Sequence, residues 1–159
     1  MKSITSETKT EKTCPPRHIP DSEKMKMNEL QSAYDELATQ YEKKTWFDQY
    51  ILGVARQRKQ LMSKAHGKIL DVACGTGLNF PFFPVPGEIA AIDLSPRMLE
   101  IAQQKAAVLS LNVKVKVMDA QKLEFQDGSF DTVTSTLSTC TFPDPVRALR
   151  EMKRVCRMG

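Results

Sequence analysis

Polar and apolar positions change rhythm along this 159-residue chain, and each rhythm predicts a different element. Residues 1–20 are rich in Ser, Thr, Lys and Pro, with Cys14-Pro15-Pro16 and Pro20, and predict a mobile tail. From residue 21 to about 64 the chain lacks proline, and its only glycine is Gly53. Helix-start signals stand at Asp21 or Ser22. Leu30, Tyr34, Leu37, Ala38 and Tyr41 then recur at helical spacing. A break is expected near Lys44-Thr45, followed by a helix from Trp46 through Leu61. In that helix Ile51, Leu52, Ala55 and Met62 should face the body, with Arg56, Arg58 and Lys59 outward.

After residue 66 the rhythm becomes short apolar runs separated by turns and helices. Ile69-Leu70-Asp71-Val72 reads as a buried strand that runs straight into Ala73-Cys74-Gly75-Thr76-Gly77. Pro81, Pro84 and Pro86 restrict any helix after Gly77 to a short one. Ile89-Ala90-Ala91-Ile92 is a second strand and ends at Asp93. Ser95-Pro96 supplies an N-cap with proline at the first helical position, and residues 96–109 place Met98, Leu99, Ala102, Ala106 and Leu109 on one stripe. Val113, Val115 and Val117 alternate with Lys114 and Lys116, a pattern that suits an edge strand. Asp127-Gly128 is a turn signal, and Asp144-Pro145 starts a last helix. That helix carries Arg150, Lys153, Arg154 and Arg157 toward its end, where they read as a solvated basic face. Alternating β and α units predict an α/β fold, a parallel sheet with helices on both faces. The expected divisions are a tail over 1–20, a helical region over 21–66 and the sheet-forming core over 67–159.

Composition narrows the class. The formal net charge is only +4, and no basic run interleaves with aromatics, so a nucleic-acid partner is not implied. Cys14, Cys74, Cys140 and Cys156 are scattered without C-x-x-C spacing, which argues against a zinc site or disulfide framework and for a reducing compartment. No run is long enough to span a membrane, which leaves peripheral membrane contact open. Residues 1–13 lack the apolar core of a secretory signal, and Glu7 and Glu11 weigh against a transit peptide. A cytoplasmic location is the simplest expectation.

The chemistry concentrates at the first strand. Glycines after a strand let backbone and ligand approach closely, and a carboxylate ending the next strand, here Asp93, can accept from ribose hydroxyls. This is the layout of a nucleoside-binding βαβ unit. A dinucleotide fingerprint needs a third glycine three residues after the second, and that position is Phe80. The ring argues against NAD or FAD. S-adenosylmethionine has no pyrophosphate, so a two-glycine turn serves it.

At these residues the sequence resembles the class I S-adenosylmethionine-dependent methyltransferases. The strand-embedded Asp71-Val72-Ala73-Cys74-Gly75-Thr76-Gly77 matches closely, and later segments keep order with it: residues 89–95, Val117-Met118-Asp119-Ala120, residues 127–135 and residues 149–159. The resemblance covers roughly residues 34 to 159. It is nearest the branch that includes the ubiquinone and menaquinone methyltransferases and related lipid or small-molecule enzymes. The resemblance implies a Rossmann-like fold with strand order 3-2-1-4-5-7-6, of which this chain supplies 3-2-1-4. The family's strands 5 to 7 are absent, so the chain looks C-terminally truncated, a fragment, or half of an assembly. Strand four would then be an open sheet edge that a second copy, in a homo-oligomer, could cover.

The resemblance also implies roles. Asp71 would order the loop and help hold the methionine ammonium. Ala73, Cys74, Gly75, Thr76 and Gly77 would form the turn under the ligand. Asp93 would accept from the ribose, and Asp119, with Ala120 beside it, from the adenine edge. Leu94 and Met98 either pack on the adenine or belong to the core. Ser135, with Thr136 and Leu137, either lines the reacting centre or is surface polarity. Tyr34 and Tyr41 sit in a Tyr-Asp-x-x-Ala-x-x-Tyr pattern similar to the branch's N-terminal lid; Tyr41 either closes over the ligand or packs on a helix face. No catalytic residue and no metal site are expected. The implied activity is methyl transfer to a small or lipid-like acceptor; Phe80-Pro81-Phe82-Phe83 and the helix bearing Trp46, Phe47 and Tyr50 either hint at an apolar acceptor or belong to the core. A non-catalytic S-adenosylmethionine-binding or assembly subunit is the second reading, and a nicotinamide-linked oxidoreductase the third.

Overall fold

A computed structural model describes residues 27–85 and 87–158. The expected tail and the helix start near Asp21 lie outside the described residues. Three helices precede the sheet: α1 (Met27–Leu37), α2 (Tyr41–Tyr50) and α3 (Val54–Met62). Then follow β1 (Lys68–Val72), β2 (Glu88–Asp93), α4 (Pro96–Val108), β3 (Val113–Val117), β4 (Thr132–Thr134) and α5 (Pro145–Val155). The strands form one parallel sheet in the order β3-β2-β1-β4. Where a helix was expected after Gly77, there is only a 3-10 turn, Phe80–Phe82, as the prolines dictate.

Side chains alternate across β1 and β2 and feed two cores. Ile69, Ile89 and Ala91 join Met62, Phe80, Leu99, Ala102 and Ala106 on one face. Leu70, Val72 and Ile92 join Phe130, Ala148, Met152 and Val155 on the other. Helices α3 and α4 therefore cover one face and α5 covers the opposite one, as the pattern predicted. β1 is buried along Ile69 to Val72, which is why its sequence is a nearly continuous apolar run. β3 is the edge its alternating lysines implied. Beside β4, Phe130 bridges Cys156 in parallel fashion, with the Phe130 N–H on the Val155 carbonyl and the Arg157 N–H on that of Phe130.

The caps follow their local chemistry. Ser95 Oγ accepts from the Met98 N–H at 3.1 Å, and Asp144 Oδ1 from the Arg147 N–H at 3.0 Å. The helical region breaks elsewhere than expected. α2 runs unbroken through Lys44-Thr45, and the chain turns instead at Gly53, whose φ of 73° only glycine adopts freely. With the break there, Ile51 and Leu52, expected inward, fall in the turn between α2 and α3 and are exposed, while Arg58 of α3, expected outward, is 6% exposed. Arg154, read as solvated, is a clamp. Its guanidinium holds Glu151 at 2.8 Å, Asp127 at 2.6 Å and the carbonyls of Leu123 and Phe125, which fastens α5 to the loop before β4.

Candidate functional site

The loops leaving β1, β2, β3 and β4 meet above the sheet, at the carboxyl ends of its strands, where open α/β sheets hold ligands. The loop after β1 is held in an unusual backbone state: Ala73, Gly75 and Gly77 have φ of 53°, 56° and 75°. An alanine in the left-handed region costs about 1–2 kcal/mol, strain of a kind that clusters at binding sites. Hydrogen bonds from β2 impose it. The Cys74 N–H donates to the Ile92 carbonyl at 2.9 Å, and the Gly75 N–H donates to Asp93 Oδ2 at 2.8 Å. The other Asp93 oxygen accepts from the Ser95 N–H at 2.9 Å. One carboxylate thus ties the glycine loop to the start of α4. Burial pushes the Asp93 carboxyl above the usual range, opposed by the Ser95 and Gly75 amides.

The two glycines serve different ends. A Cβ on Gly77 would stand 2.6 Å from the Phe80 ring, so Gly77 is where that buried ring packs. The ring therefore fills the place that a third glycine keeps open in dinucleotide-binding proteins. A Cβ on Gly75 would meet nothing within 4 Å and would project into open space.

That space is a cleft open to solvent on one side, with about 690 Å³ of empty volume when the solvent at its mouth is included. Of the residues singled out from sequence, Tyr41, Ala73, Gly75, Asp93, Leu94, Met98, Asp119 and Ala120 line it. Asp71, Cys74, Thr76, Gly77 and Ser135 do not. Cys74 packs into the core beside Phe80. Thr76 is fully buried, and its hydroxyl has no partner among the described residues. Ser135 Oγ donates to the Val72 carbonyl at 3.0 Å and contacts Ser138, so it braces the loop after β4. Asp119 already accepts from the Gln121 N–H at 2.8 Å.

Helix α1 and the start of α2 close one side with Met27, Leu30, Tyr34 and Tyr41. Asp35 fastens them: it accepts from Ser95 Oγ and, at 3.2 Å, from the Arg97 N–H at the start of α4. Burial pushes the Tyr34 phenol up, which keeps it neutral across the physiological range.

Asp71 lies behind the wall, fully buried at the end of β1. Asn79 Nδ2 donates to both its oxygens, at 2.9 and 3.1 Å, and Thr134 Oγ1 donates at 2.8 Å. Burial raises its carboxyl to about 6, with the Thr134 and Asn79 bonds and the Arg58 charge pulling the other way. Arg58 completes the network. Its Nη1 donates to Asn79 Oδ1 and Thr136 Oγ1, and its Nε to Gln49 Oε1 at 3.2 Å. Sequence reasoning missed Arg58, Asn79 and Asp35. A signal for Arg58 existed: it stands one helical turn before Met62, which was read as facing inward.

Fold and cleft together define a Rossmann-like nucleoside-binding protein. The comparisons with known proteins take the next step. A family model described as a methyltransferase domain matches residues 70–159. A phosphatidylethanolamine N-methyltransferase of Cereibacter sphaeroides is 32% identical over 132 residues, 79% of this chain and 64% of that protein. A demethylmenaquinone methyltransferase of Staphylococcus aureus is 39% identical over 118 residues, 71% of this chain and 48% of that protein. The solved structure of an S-adenosylmethionine-dependent methyltransferase from Thermotoga maritima superposes with a TM-score of 0.64 at 26% identity, covering 80% of this chain and 57% of that one. The chain belongs to the methyltransferase domain family, whose cofactor is S-adenosylmethionine. It spans about half to two thirds of the length of these curated relatives.

The residues present fit that cofactor. An acid stands at the end of β2, a second acid follows β3, Leu94, Met98, Met118 and Ala120 offer apolar surface between them, and Gly75 leaves room where any side chain would intrude.

Proposed function

We propose that this chain forms the cofactor-binding part of an S-adenosylmethionine-dependent methyltransferase that acts on a small or lipid-like acceptor. The observation that carries this reading is the double anchoring of Asp93. Its carboxylate fixes Gly75 and Ser95 and still lines the cleft, so its remaining lone pairs can take ribose hydroxyls. Asp119 would accept from the adenine edge, with Ala120 beside it. Leu94, Met98 and Met118 would pack on the base. When bound, the cofactor supplies an electrophilic methyl group that leaves sulfur by in-line displacement. The protein's contribution is alignment and exclusion of water. Tyr34 and Tyr41, on elements fastened by Asp35, serve that role as a lid. A neutral Tyr34 offers no base, so no proton-abstracting residue is assigned.

The acceptor class draws on two relatives, one named for phosphatidylethanolamine and one for demethylmenaquinone. It also draws on the outward face of α2 and the turn that follows it. Thr45 and Gln49 point inward, while Lys43, Lys44, Trp46, Phe47, Ile51 and Leu52 are exposed. This inverted helix, with aromatics and lysines outward, suits peripheral contact with an anionic lipid surface. Among the described residues no helix is long and apolar enough to cross a membrane. A cytoplasmic location and a homo-oligomer covering the β4 edge belong to this proposal too.

The test is calorimetry with S-adenosylhomocysteine, followed by transfer of labelled methyl to phospholipid and quinol acceptors. Binding with transfer supports the enzyme. Binding without transfer to any acceptor supports a non-catalytic subunit. Tighter binding of NADH than of S-adenosylhomocysteine would overturn both.

A further inference from the structure

The cleft wall beyond β3 is held together by one amide. Asp119 follows β3 and lines the cleft, and behind it stands Gln121, a partly buried residue outside the lining. The Gln121 N–H donates to Asp119 Oδ1 at 2.8 Å. Its side-chain Nε2 reaches both oxygens of the same carboxylate, at 3.2 and 3.3 Å. On its other side Oε1 accepts from the Asp144 N–H at 2.9 Å, at the residue that caps α5. Nε2 also lies 3.6 Å from Met27 Sδ, at the first residue of α1. Asp119, Met27 and Pro143, which precedes Asp144, all line the cleft.

Its partners fix which way this amide points. A backbone N–H only donates, so the Asp144 side requires the Gln121 oxygen. A carboxylate only accepts, so the Asp119 side requires the nitrogen. A flipped amide would set donor against donor and acceptor against acceptor. Asp119 is thus gripped by the backbone and the side chain of one residue, and the plane of its carboxylate is held. A carboxylate has about four acceptor sites, so room remains for a donor on a ligand. The identity of that donor then matters. Adenine carries an amino group at C6, whereas hypoxanthine, of nearly the same size, carries a carbonyl there. A held carboxylate accepts from the first and repels the second. A carboxylate free to turn could avoid the carbonyl and accept from the hypoxanthine N1–H instead, and its discrimination would fade.

We propose that Gln121 is a positioning residue for base selection: its side-chain amide holds Asp119 as a fixed acceptor and makes the cleft choose 6-amino over 6-oxo purine nucleosides. This rests on the reading of Asp119 as the adenine acceptor. It adds a residue that touches no ligand and acts through Asp119. The same amide ties Asp119 to the entry of α5 and to the start of α1, so base recognition shares one side chain with two walls of the cleft.

The experiment compares S-adenosylhomocysteine with S-inosylhomocysteine, which share ribose, sulfur and amino-acid end and differ at purine C6. Calorimetry at about pH 8, well above the ordinary carboxylate range, is run on the wild-type chain, Gln121→Glu and Gln121→Met, with thermal melts to follow folding. The wild type should prefer the adenosyl ligand by at least about tenfold, the worth of a hydrogen bond to a charged group. Gln121→Glu keeps an oxygen for the Asp144 N–H but turns an acceptor toward Asp119. Gln121→Met keeps the length and removes both bonds. In each the preference should fall below about threefold, through weaker adenosyl binding and inosyl binding that holds or rises. Where the two variants differ, Gln121→Glu decides, because it retains the tie to Asp144. A preference kept in that variant, or both ligands weakened by the same factor, leaves Gln121 a support of the fold and overturns the proposal. Should neither variant fold, nuclear magnetic resonance on the wild type decides: the Gln121 side-chain amide signals should shift more at saturation with the adenosyl ligand than with the inosyl one, and equal shifts overturn the proposal. A wild type that binds both ligands equally removes the adenine role of Asp119 and the proposal with it. One that binds neither removes the cofactor reading itself, whereas a loss of preference confined to the variants addresses Gln121 alone.

Discussion

Replacing Asp93 with alanine removes one carboxylate with two tasks. In the free chain it accepts from Gly75 at 2.8 Å and from Ser95 at 2.9 Å. In the bound state it would also accept from the ribose. A hydrogen bond to a charged group is worth about 1.5–3 kcal/mol. Losing the ribose interaction therefore weakens binding roughly 10- to 150-fold. Loosening the Gly75 anchor adds to the loss, because the loop must then be ordered by the ligand. Stability falls less, by about 1–2 kcal/mol, because removing a desolvated charge offsets part of the lost bonding to two amides. Asp93→Asn should not rescue binding, since its amide nitrogen must face one of the two N–H donors. Calorimetry with S-adenosylhomocysteine and methylthioadenosine reads the effect. Both ligands contain the ribose, so both should weaken to the same degree. Unchanged affinity, or a loss confined to S-adenosylhomocysteine, refutes the assigned role.

The two loop glycines should separate stability from binding. Gly77→Ala forces a methyl to 2.6 Å from Phe80 at a φ of 75° and should cost roughly 2–5 kcal/mol by chemical denaturation. Gly75→Ala meets no atom within 4 Å, so it should cost only about 1–2 kcal/mol of stability yet weaken S-adenosylhomocysteine binding at least tenfold. Equal effects of the two substitutions on both readouts would contradict the division of labour. For Asp71, the folded carboxyl is raised to about 6 from the ordinary 3.8, so the folded state holds its proton more tightly than the unfolded one. Asp71 therefore favours folding most at low pH, and the wild type should lose on the order of 3 kcal/mol relative to Asp71→Asn as pH rises from about 4 to about 6, with no further change above. Denaturation curves in which that difference is flat, or grows in favour of the wild type, would oppose this. For the α2 face, the double variant Trp46→Glu, Phe47→Glu should lose cosedimentation with phosphatidylglycerol vesicles at unchanged S-adenosylhomocysteine affinity. Equal pelleting of variant and wild type, or none by the wild type, argues against a lipid-facing α2.

Much of the sheet was legible because strands buried on both faces carry nearly continuous apolar runs, as from Ile69 to Val72 with Asp71 the one polar residue, and because an edge strand advertises itself by Lys114 and Lys116. Caps such as Ser95 and Asp144 were legible because their chemistry is local. The helices before the sheet were not. Their stripes are weak, with polar Thr45 and Gln49 turned inward and Trp46 and Phe47 outward, and Gly53 was passed over as a break. The site divided along the same line. Residues adjacent to the glycine turn and at strand ends were found by spacing. Arg58 and Asn79 were not, because a buried polar network is defined by contacts across 21 and 78 positions of chain, which no local pattern records. Charge is read outward by default, and only the tertiary partners overturn that default.

A crystal structure of this chain with saturating S-adenosylhomocysteine tests the central claim most directly. The account predicts the ribose hydroxyls within hydrogen-bond distance of Asp93, the adenine between Leu94, Met98 and Ala120, and the amino-acid end over Gly75. Ligand density elsewhere, or an empty cleft at saturation, would contradict it.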